Sequence, residues 1–273
     1  MSTSTKGLSP RSVIELPITR ELAELYVGNE VVPGLFEPFR IWGQCSRMAD
    51  VARADLPPGD GLFVLRFLAG WPGLFRAERA AAAVPEYWME LADVPVNAEL
   101  WHLAKDGGGG GGENEQKLAR FAGRHAGWQS FPAARERGLV PNAAAETPAG
   151  GVPRGLFATY QGTAYPADFG PDAGELTAYQ TAPDGSVVPH RLADSQCDEL
   201  EYRRTLATWR GLQFELLAAG EQNATLAHVT SNAHQATGLG LTPAGRHAWR
   251  VQIPKSELEK VTEETRKIGD VGS

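Results

Sequence analysis

Two arginines and a glutamate on predicted strands are the first side chains in this sequence whose types suggest chemistry. Arg40, Arg66 and Glu90 all stand in strand-like stretches of the first half of the chain. An arginine that holds a phosphate and a glutamate that holds a ribose, facing one cleft, would suit an NAD-using transferase. The Ser-Thr-Ser strand that such a site needs is absent, and a partly buried arginine–glutamate pair is the structural alternative. All three residues are retained as catalytic candidates.

A cysteine offers a second kind of chemistry. Cys45 stands in the stretch Gly-Gln-Cys-Ser, which is compatible with a strand-to-helix turn that presents a thiol nucleophile. The sequence fixes no histidine base near it, so a core cysteine is the alternative. Cys197 lies beside Asp198 and Glu199, whose negative charges disfavour a thiolate. Cys45 is therefore the candidate for a cysteine-dependent enzyme, and Cys197 is expected to be unreactive.

The residue spacing indicates no metal or phosphate site. The six histidines form no HxH or HExxH arrangement, and neither cysteine has a neighbour at zinc-ligand spacing. Six consecutive glycines at 107–112 precede an acidic stretch, which would repel a phosphate from a helix N-terminus. We predict no metal and no cofactor, and we interpret the glycine tract as a loop, either native or engineered.

Aromatic residues distinguish this chain from an average one. It contains seven tryptophans, and tryptophan both anchors protein interfaces and builds small β cores. Most of them are assigned to the core. Trp71, in a Trp-Pro-Gly loop, and Trp128 are predicted to be exposed and to bind a partner.

Composition and charge indicate the class of partner. The chain has 273 residues, of which 42% are hydrophobic and 22% charged, and its net charge is −7. No basic stripe is present, so nucleic acid is not expected as a partner. Mild acidity suits a basic protein surface instead. No apolar run is long enough to span a membrane and no signal peptide is visible, which predicts a cytoplasmic protein.

The elements that must position these residues predict an α+β fold. We expect a mixed α/β N-terminal domain at 1–131, a linker rich in alanine, glycine and proline at 132–151, and a β-rich domain at 152–273. The expected helices of the first domain lie at 20–27, 77–84 and 113–122. The expected strands lie at 36–42, 61–69, 87–91 and 98–103.

The second domain contains an internal repeat. Residues 158–162 read Ala-Thr-Tyr-Gln-Gly and residues 207–211 read Ala-Thr-Trp-Arg-Gly. An aromatic residue follows each glycine after three positions, at Tyr165 and Phe214. The pattern predicts two copies of a short three-stranded unit, with equivalent turns at the two glycines.

A helix is predicted to close the chain. A capping box, Ser-Glu-Leu-Glu at 256–259, precedes Leu258, Val261, Thr265 and Ile268, which share one helix face. Proline 254 ends the strand before it.

Two classes of function remain open. A mildly acidic, aromatic-rich chain without an assembled catalytic set indicates a non-catalytic protein-binding module, such as an inhibitor or immunity-type partner of a basic enzyme. The alternative is an enzyme with a dispersed active site in the N-terminal half, because catalytic residues assemble from distant positions. Convergence of Arg66 and Glu90 on an open pocket would favour the enzyme, and a flat aromatic surface would favour binding.

Overall fold

The structure is a computed structural model. It describes residues 13–30, 32, 36–40, 61–68, 75–76, 86–90, 93–103, 115–140, 152–230, 232–245 and 248–268. For residues 36–40, 75–76 and 86–90 the description is of the backbone. Cys45, Trp71, the glycine tract and the helix expected at 77–84 lie outside the described residues.

Antiparallel strands dominate the described residues of the first half of the chain. In chain order they are β1 (Val13–Ile18), β2 (Phe36–Arg40), β3 (Leu62–Leu68), β4 (Phe75–Arg76), β5 (Glu86–Glu90), β6 (Glu99–Leu103), β7 (Glu115–Phe121) and β8 (Trp128–Ser130). Five of them form a sheet in the order β1-β3-β6-β7-β8, and β2-β5-β4 form a small second sheet. Among the described residues of this half, the helices are α1 (Arg20–Val27) and α2 (Pro132–Glu136).

Helix α1 forms at the place that the sequence predicts. The hydroxyl of Thr19 accepts a hydrogen bond from the backbone N–H of Leu22 at 3.3 Å, which satisfies one of the free donors of the first turn. The helix ends at Gly28. Its buried face carries Tyr26, whose ring lies 4.9 Å from that of Trp128 on β8. Packing on the sheet therefore adds to the local capping signal.

The second half is one large antiparallel sheet. Its strands are β9 (Gly155–Tyr160), β10 (Thr163–Phe169), β11 (Glu175–Thr181), β12 (Val187–Ala193), β13 (Glu199–Trp209), β14 (Leu212–Ala219), β15 (Asn223–Val229), β16 (Thr242–Pro243), β17 (Ala248–Pro254) and β18 (Lys260–Lys267). They follow the order β12-β11-β10-β9-β13-β14-β15-β17-β16, with β18 paired to β13. Helix α3 (Ala233–Gly238) and two short 3-10 helices, Asp194–Gln196 and Lys255–Glu257, complete this half.

The predicted pair of equivalent turns is confirmed. Gln161 and Gly162 have φ of 51° and 76°, and Arg210 and Gly211 have φ of 51° and 72°. Positive φ at both central residues defines a type I′ hairpin turn, which matches the twist of the flanking strands and favours glycine at the second position. The β9–β10 and β13–β14 hairpins therefore turn in the same way.

The repeat extends beyond the three strands that the sequence predicts. Unit 1 consists of β9 to β12 and the first half of β13, and unit 2 of the second half of β13 with β14, β15, β17 and β18. In each unit the fifth strand pairs with the first, and a 3-10 helix joins the fourth strand to the fifth. Four backbone hydrogen bonds anchor these connections equivalently: Asp194 N–H to Gly174 O (2.8 Å) and Asp198 N–H to Thr159 O (2.8 Å) in unit 1, Lys255 N–H to Gln222 O (2.7 Å) and Glu259 N–H to Thr208 O (3.0 Å) in unit 2.

Strand β13 belongs to both units. Its residues Glu199–Arg203 pair with β9, and its residues Leu206–Trp209 pair with β14. Strand β18 runs along its residues Glu201–Thr208. One continuous strand therefore closes unit 1 and begins unit 2.

The predicted α+β class is wrong, because the described residues are predominantly β. The expected C-terminal helix is a short 3-10 helix followed by β18. Val261, Thr262 and Thr265 are β-branched and suit a strand. Strand β13 also offers a free edge, so pairing with it satisfies the backbone of β18 and outweighs the local capping signal.

The helix expected at 113–122 is also wrong. Residues Glu115–Phe121 form β7, which pairs with β6 on one side and β8 on the other. Leu118 is fully buried in the core of the sheet. An isolated segment of this length is a marginal helix, whereas a central strand satisfies its backbone on both sides.

One hydrophobic core runs through the first sheet and unit 1. It joins Leu65 and Leu100 of the first sheet to Leu156, Phe169 and Leu176 of unit 1. A second core lies inside unit 2 and is built on Trp209, Phe214 and Leu226, with α3 packed over it. The predicted domain boundaries, with a linker at 132–151 between residues 1–131 and 152–273, stay a prediction.

The fourth strands of the two units differ at their outer edges. In unit 2, β16 covers the edge of β17, and the carbonyl of Arg250 accepts a hydrogen bond from the Thr242 hydroxyl at 3.2 Å. In unit 1, β12 is an edge strand of the sheet, and Pro189 occupies the position equivalent to Arg250. Proline has no N–H, so it removes a donor from that edge and disfavours the addition of another strand.

Candidate functional site

Arg66 lies at the centre of a charged row on the first sheet. It is the only charge in the apolar strand β3, and it stands opposite Glu15 of β1 and Glu99 of β6. Its Nε donates to Glu15 Oε1 at 2.7 Å and its Nη2 donates to Glu115 Oε2 at 3.0 Å. The guanidinium is therefore held by two carboxylates, one on the adjacent strand β1 and one on β7, beyond β6.

The ring of Trp101 lies beneath two cationic side chains of this row, those of Arg66 and Lys117. The guanidinium carbon of Arg66 lies 4.4 Å from the centre of the Trp101 ring, and the ammonium of Lys117 lies 5.6 Å from it. The indole N–H donates to Glu99 at 2.9 Å. Cation–π contacts and this hydrogen bond fix the orientation of the ring.

A cleft of about 540 Å³ opens beside Arg66. One wall is the charged row of the first sheet, with Glu15, Arg66 and Trp101. A second wall is the segment 95–98, and the third is the loop from Phe169 to Glu175 that joins β10 to β11. Its size falls within the range of ligand and side-chain binding sites.

The cleft has an acidic character. Its lining includes four carboxylates, of Glu15, Glu99, Asp172 and Glu175, against the single guanidinium of Arg66. Glu15 Oε2 and Glu175 Oε2 are shielded from solvent and have no hydrogen-bond partner among the described residues. Four carboxylates against one guanidinium give the lining a negative charge, which favours a cationic ligand.

The structure brings together only part of the predicted site. Arg66 lines the cleft, whereas Arg40 and Glu90 lie on β2 and β5 of the separate three-stranded sheet. Cys45 and Trp71 lie outside the described residues. A site made of Arg66 and Glu90 together stays untested.

Trp128 is buried, contrary to the exposure that the sequence predicts. It is 7% exposed, and its ring contacts those of Tyr26 and Phe121 at 4.9 and 5.5 Å. Its backbone N–H donates to the side chain of Asn29. The turn that precedes it brings β8 back under α1, so this tryptophan is a core residue that fixes the helix to the sheet.

A buried ionic network joins the first sheet to unit 1. Asp168 of β10 accepts from Arg124 Nε at 2.9 Å, from the Arg124 backbone N–H at 2.6 Å and from the Tyr179 hydroxyl at 2.6 Å. Burial and the neighbouring carboxylate raise the pKa of Tyr179. The ring of His125 packs edge-on against Tyr179, and partial burial lowers the pKa of His125. The protonated tyrosine therefore acts as a fixed donor to Asp168.

Asp93 extends the network toward unit 2. Its Oδ1 lies 3.8 Å from Arg124 Nη2, and the Leu156 N–H donates to its carboxylate. Burial raises the pKa of Asp93 from 3.8 to about 6 even though Arg124 and Arg154 both act to lower it. Arg154 in turn pairs with the buried Glu215 of β14 at 3.4 Å.

Sequence reasoning identified Arg66 and missed the residues around it. The signal for Arg66 was a charge inside an apolar strand, and Glu15 carries the same signal inside Val-Ile-Glu-Leu-Pro-Ile. In the buried network, Asp168 of β10 and Glu215 of β14 carry the same signal, and sequence reasoning did not use it. Asp93 and Arg124 carry no such signal, because they stand outside the strands, where charges are common.

Comparison with known protein families, with curated proteins and with solved structures found no match to this chain. Among the described residues, no group of histidine, cysteine and acidic side chains is placed to hold a metal ion. In the same part of the chain, no helix is long and apolar enough to cross a membrane.

Proposed function

We propose that this protein is a non-catalytic protein-binding module, of the inhibitor or immunity type, whose cleft receives a basic side chain of its partner. The observation that carries the proposal is the acidic lining of the cleft, in which Glu15 is paired with Arg66 and Glu99 with Lys117, while Asp172 and Glu175 add negative charge. A partner lysine or arginine would be attracted by the carboxylates of Asp172 and Glu175, which line the cleft and have no ion pair among the described residues. The net charge of −7 favours approach to a basic enzyme.

Apolar residues at the mouth of the cleft support the same proposal. Val13 and Leu68 lie opposite each other at the ends of β1 and β3, and both side chains are exposed. Lysine and arginine bury their aliphatic stems against apolar surface while the charged end finds its partner. A mouth with apolar residues above an acidic interior therefore matches both parts of a long basic side chain.

The state of Arg66 argues against the alternative of an NAD-using transferase. A phosphate-binding arginine presents its donors to the ligand, whereas Nε and Nη2 of Arg66 are bound to Glu15 and Glu115. The acidic lining would also repel a phosphate. No observation on the described residues favours a cysteine-dependent enzyme.

The test is site-specific photo-crosslinking at the mouth of the cleft. A photoreactive amino acid replaces Val13, and Val261 on β18 serves as the matched control because both valines are exposed, at 60% and 51%. We expect a partner of basic isoelectric point to be captured from position 13 and not from position 261. Capture from both positions alike would show that the cleft is not the interface.

Charge removal then tests the chemistry of the captured complex. The double substitution Glu15→Gln and Glu175→Gln should raise the Kd by about tenfold or more, because it removes two negative charges from the cleft that receives the partner's cation. Glu221→Gln with Glu259→Gln removes the same charge from exposed positions of unit 2 and should leave the Kd nearly unchanged. Equal effects of the two pairs, by calorimetry, would contradict binding in the cleft.

A further inference from the structure

One short segment connects the buried ionic network to the wall of the cleft. Asp93 begins this segment and is 7% exposed, and residues 95–98 line the cleft. The N–H of Val96 donates to Phe169 O at 2.7 Å, and the N–H of Asn97 donates to Phe121 O at 2.9 Å. These two bonds fasten the wall to unit 1 and to the first sheet.

At the start of the segment, two buried carboxylates share one guanidinium, because Asp93 and Asp168 both lie beside Arg124. The guanidinium of Arg154 also acts on Asp93, but it is paired with the carboxylate of Glu215. All three carboxylates are buried. An uncompensated negative charge in such a place is costly, and a proton on one carboxylate removes that cost.

Asp93 is the carboxylate best placed to take that proton. Asp168 is held by three donors, whereas Asp93 Oδ2 is buried and has no hydrogen-bond partner among the described residues. The backbone of Gly155 closes over it, since a Cβ there would lie 2.8 Å from Asp93 Oδ1.

The charged groups around Asp93 come from three elements. Arg124 lies on the turn after β7, Asp168 on β10 and Arg154 just before β9. Tyr179 of β11 and His125 lie behind Asp168 and Arg124. The pKa of Asp93, which burial raises to about 6, agrees with this geometry.

We propose that the protonation state of Asp93 controls whether the segment 93–98, which forms one wall of the binding cleft, stays packed against unit 1 and the first sheet. When the carboxyl is protonated, it places no charge in the buried site, and the segment 93–98 keeps its hydrogen bonds to Phe169 and Phe121. When the proton leaves to solvent, the buried charge gains hydration if the segment opens, so the wall loosens as the pH rises. The proposal concerns the regulation of the proposed binding site, and its biological use rests on that function.

The test is amide hydrogen exchange of the full chain without any partner, followed by mass spectrometry between about pH 5 and about pH 8. Rates are corrected for the intrinsic pH dependence of exchange. In the wild type, protection of the amides of Val96 and Asn97 should fall about tenfold over this range. This is the change expected if the pKa of Asp93 is about 6 in the closed segment and 3.8 in the open one. In Asp93→Asn, protection of the same amides should be independent of pH.

Amides of β14 and β15 in unit 2 serve as the internal reference and should show no such change in either protein. The proposal is refuted if the protection of Val96 and Asn97 in the wild type does not vary with pH, or if the amides of β14 and β15 vary equally. It is also refuted if the protection in Asp93→Asn still falls as the pH rises. The wild-type series alone decides the question if the variant does not fold. Because no partner is present, failure of the crosslinking experiment leaves this result intact, and the converse also holds.

Discussion

Two arginine–carboxylate pairs with the same nitrogen–oxygen distance test how strongly burial affects the contribution of an ion pair to the stability of this fold. Arg124 Nε lies 2.9 Å from Asp168 Oδ1, and Arg20 Nε lies 2.9 Å from Glu24 Oε1. The carboxylate side chain is 4% exposed in the first pair and 49% exposed in the second. The perturbations are Asp168→Asn and Glu24→Gln, each of which removes one charge and keeps the shape.

The two substitutions should differ severalfold in cost. Asp168 accepts three hydrogen bonds, and an asparagine would turn an NH₂ group toward donors of Arg124 or Tyr179. Removing one partner of a buried pair costs about 3–5 kcal/mol, and the Arg124 side chain is 22% exposed, so we expect the lower end, about 3 kcal/mol. The exposed pair within α1 should cost about 0.5 kcal/mol or less.

The assay is equilibrium unfolding in guanidinium chloride, followed by tryptophan fluorescence at neutral pH, for the wild type and both variants. The quantity compared is the change in the free energy of unfolding. If the two variants differ by less than about 1 kcal/mol, the buried network does not hold the first sheet to unit 1 in the way described.

Three further perturbations have defined signs. The folded-state pKa of Asp93, about 6, exceeds the ordinary 3.8, so its contribution to stability is complete below pH 3.8 and is lost as the pH rises through 6. In denaturant unfolding, the stability of the wild type relative to Asp93→Asn should therefore fall by about 3 kcal/mol over this pH range. Pro189→Thr restores an N–H to the outer edge of β12 and should promote self-association, seen as a sedimentation coefficient that rises with concentration. Gly211→Ala should lower the free energy of unfolding by about 1 kcal/mol, because φ at this position is +72° and the added Cβ would meet no neighbour. Gly155→Ala should lower it more, because its Cβ would also lie 2.8 Å from Asp93 Oδ1, and thermal unfolding of the two variants gives their order.

Local signals in the sequence predict the elements that local forces decide. Helix α1 has a cap at Thr19, an amphipathic face and a glycine at its end, and it forms as predicted. The turns at Gly162 and Gly211 need positive φ at both central residues, and the sequence places glycine at the second. The strand expected at 98–103 forms as β6, Glu99–Leu103.

Elements that depend on a distant partner were not predicted. The residues of β18 carry a capping box and a helical row of apolar side chains, and only the free edge of β13 makes a strand the better state. The same holds for β7, which lies between β6 and β8. A strand of this kind satisfies its backbone through residues far along the chain, and no local pattern records that pairing.

The candidate site shows the same division between local and distant information. A charge within an apolar strand identified Arg66, but the carboxylates that neutralise it come from β1 and β7. Trp128 carries nothing in its local sequence that reveals burial, because α1 covers it from across the fold. Asp93 and Asp168 are 75 positions apart and meet only through Arg124.

The shared strand β13 leaves no place at which the two units can be separated. Cutting the chain before Glu199 removes from unit 1 the strand that pairs with β9. Starting it after Arg203 leaves Thr265, Arg266 and Lys267 of β18 without their strand partners. No flexible linker lies between the units, so their relative orientation is set by the twist of one strand. Unfolding of either unit therefore removes a strand neighbour from the other, and the duplication behaves in folding as a single cooperative body.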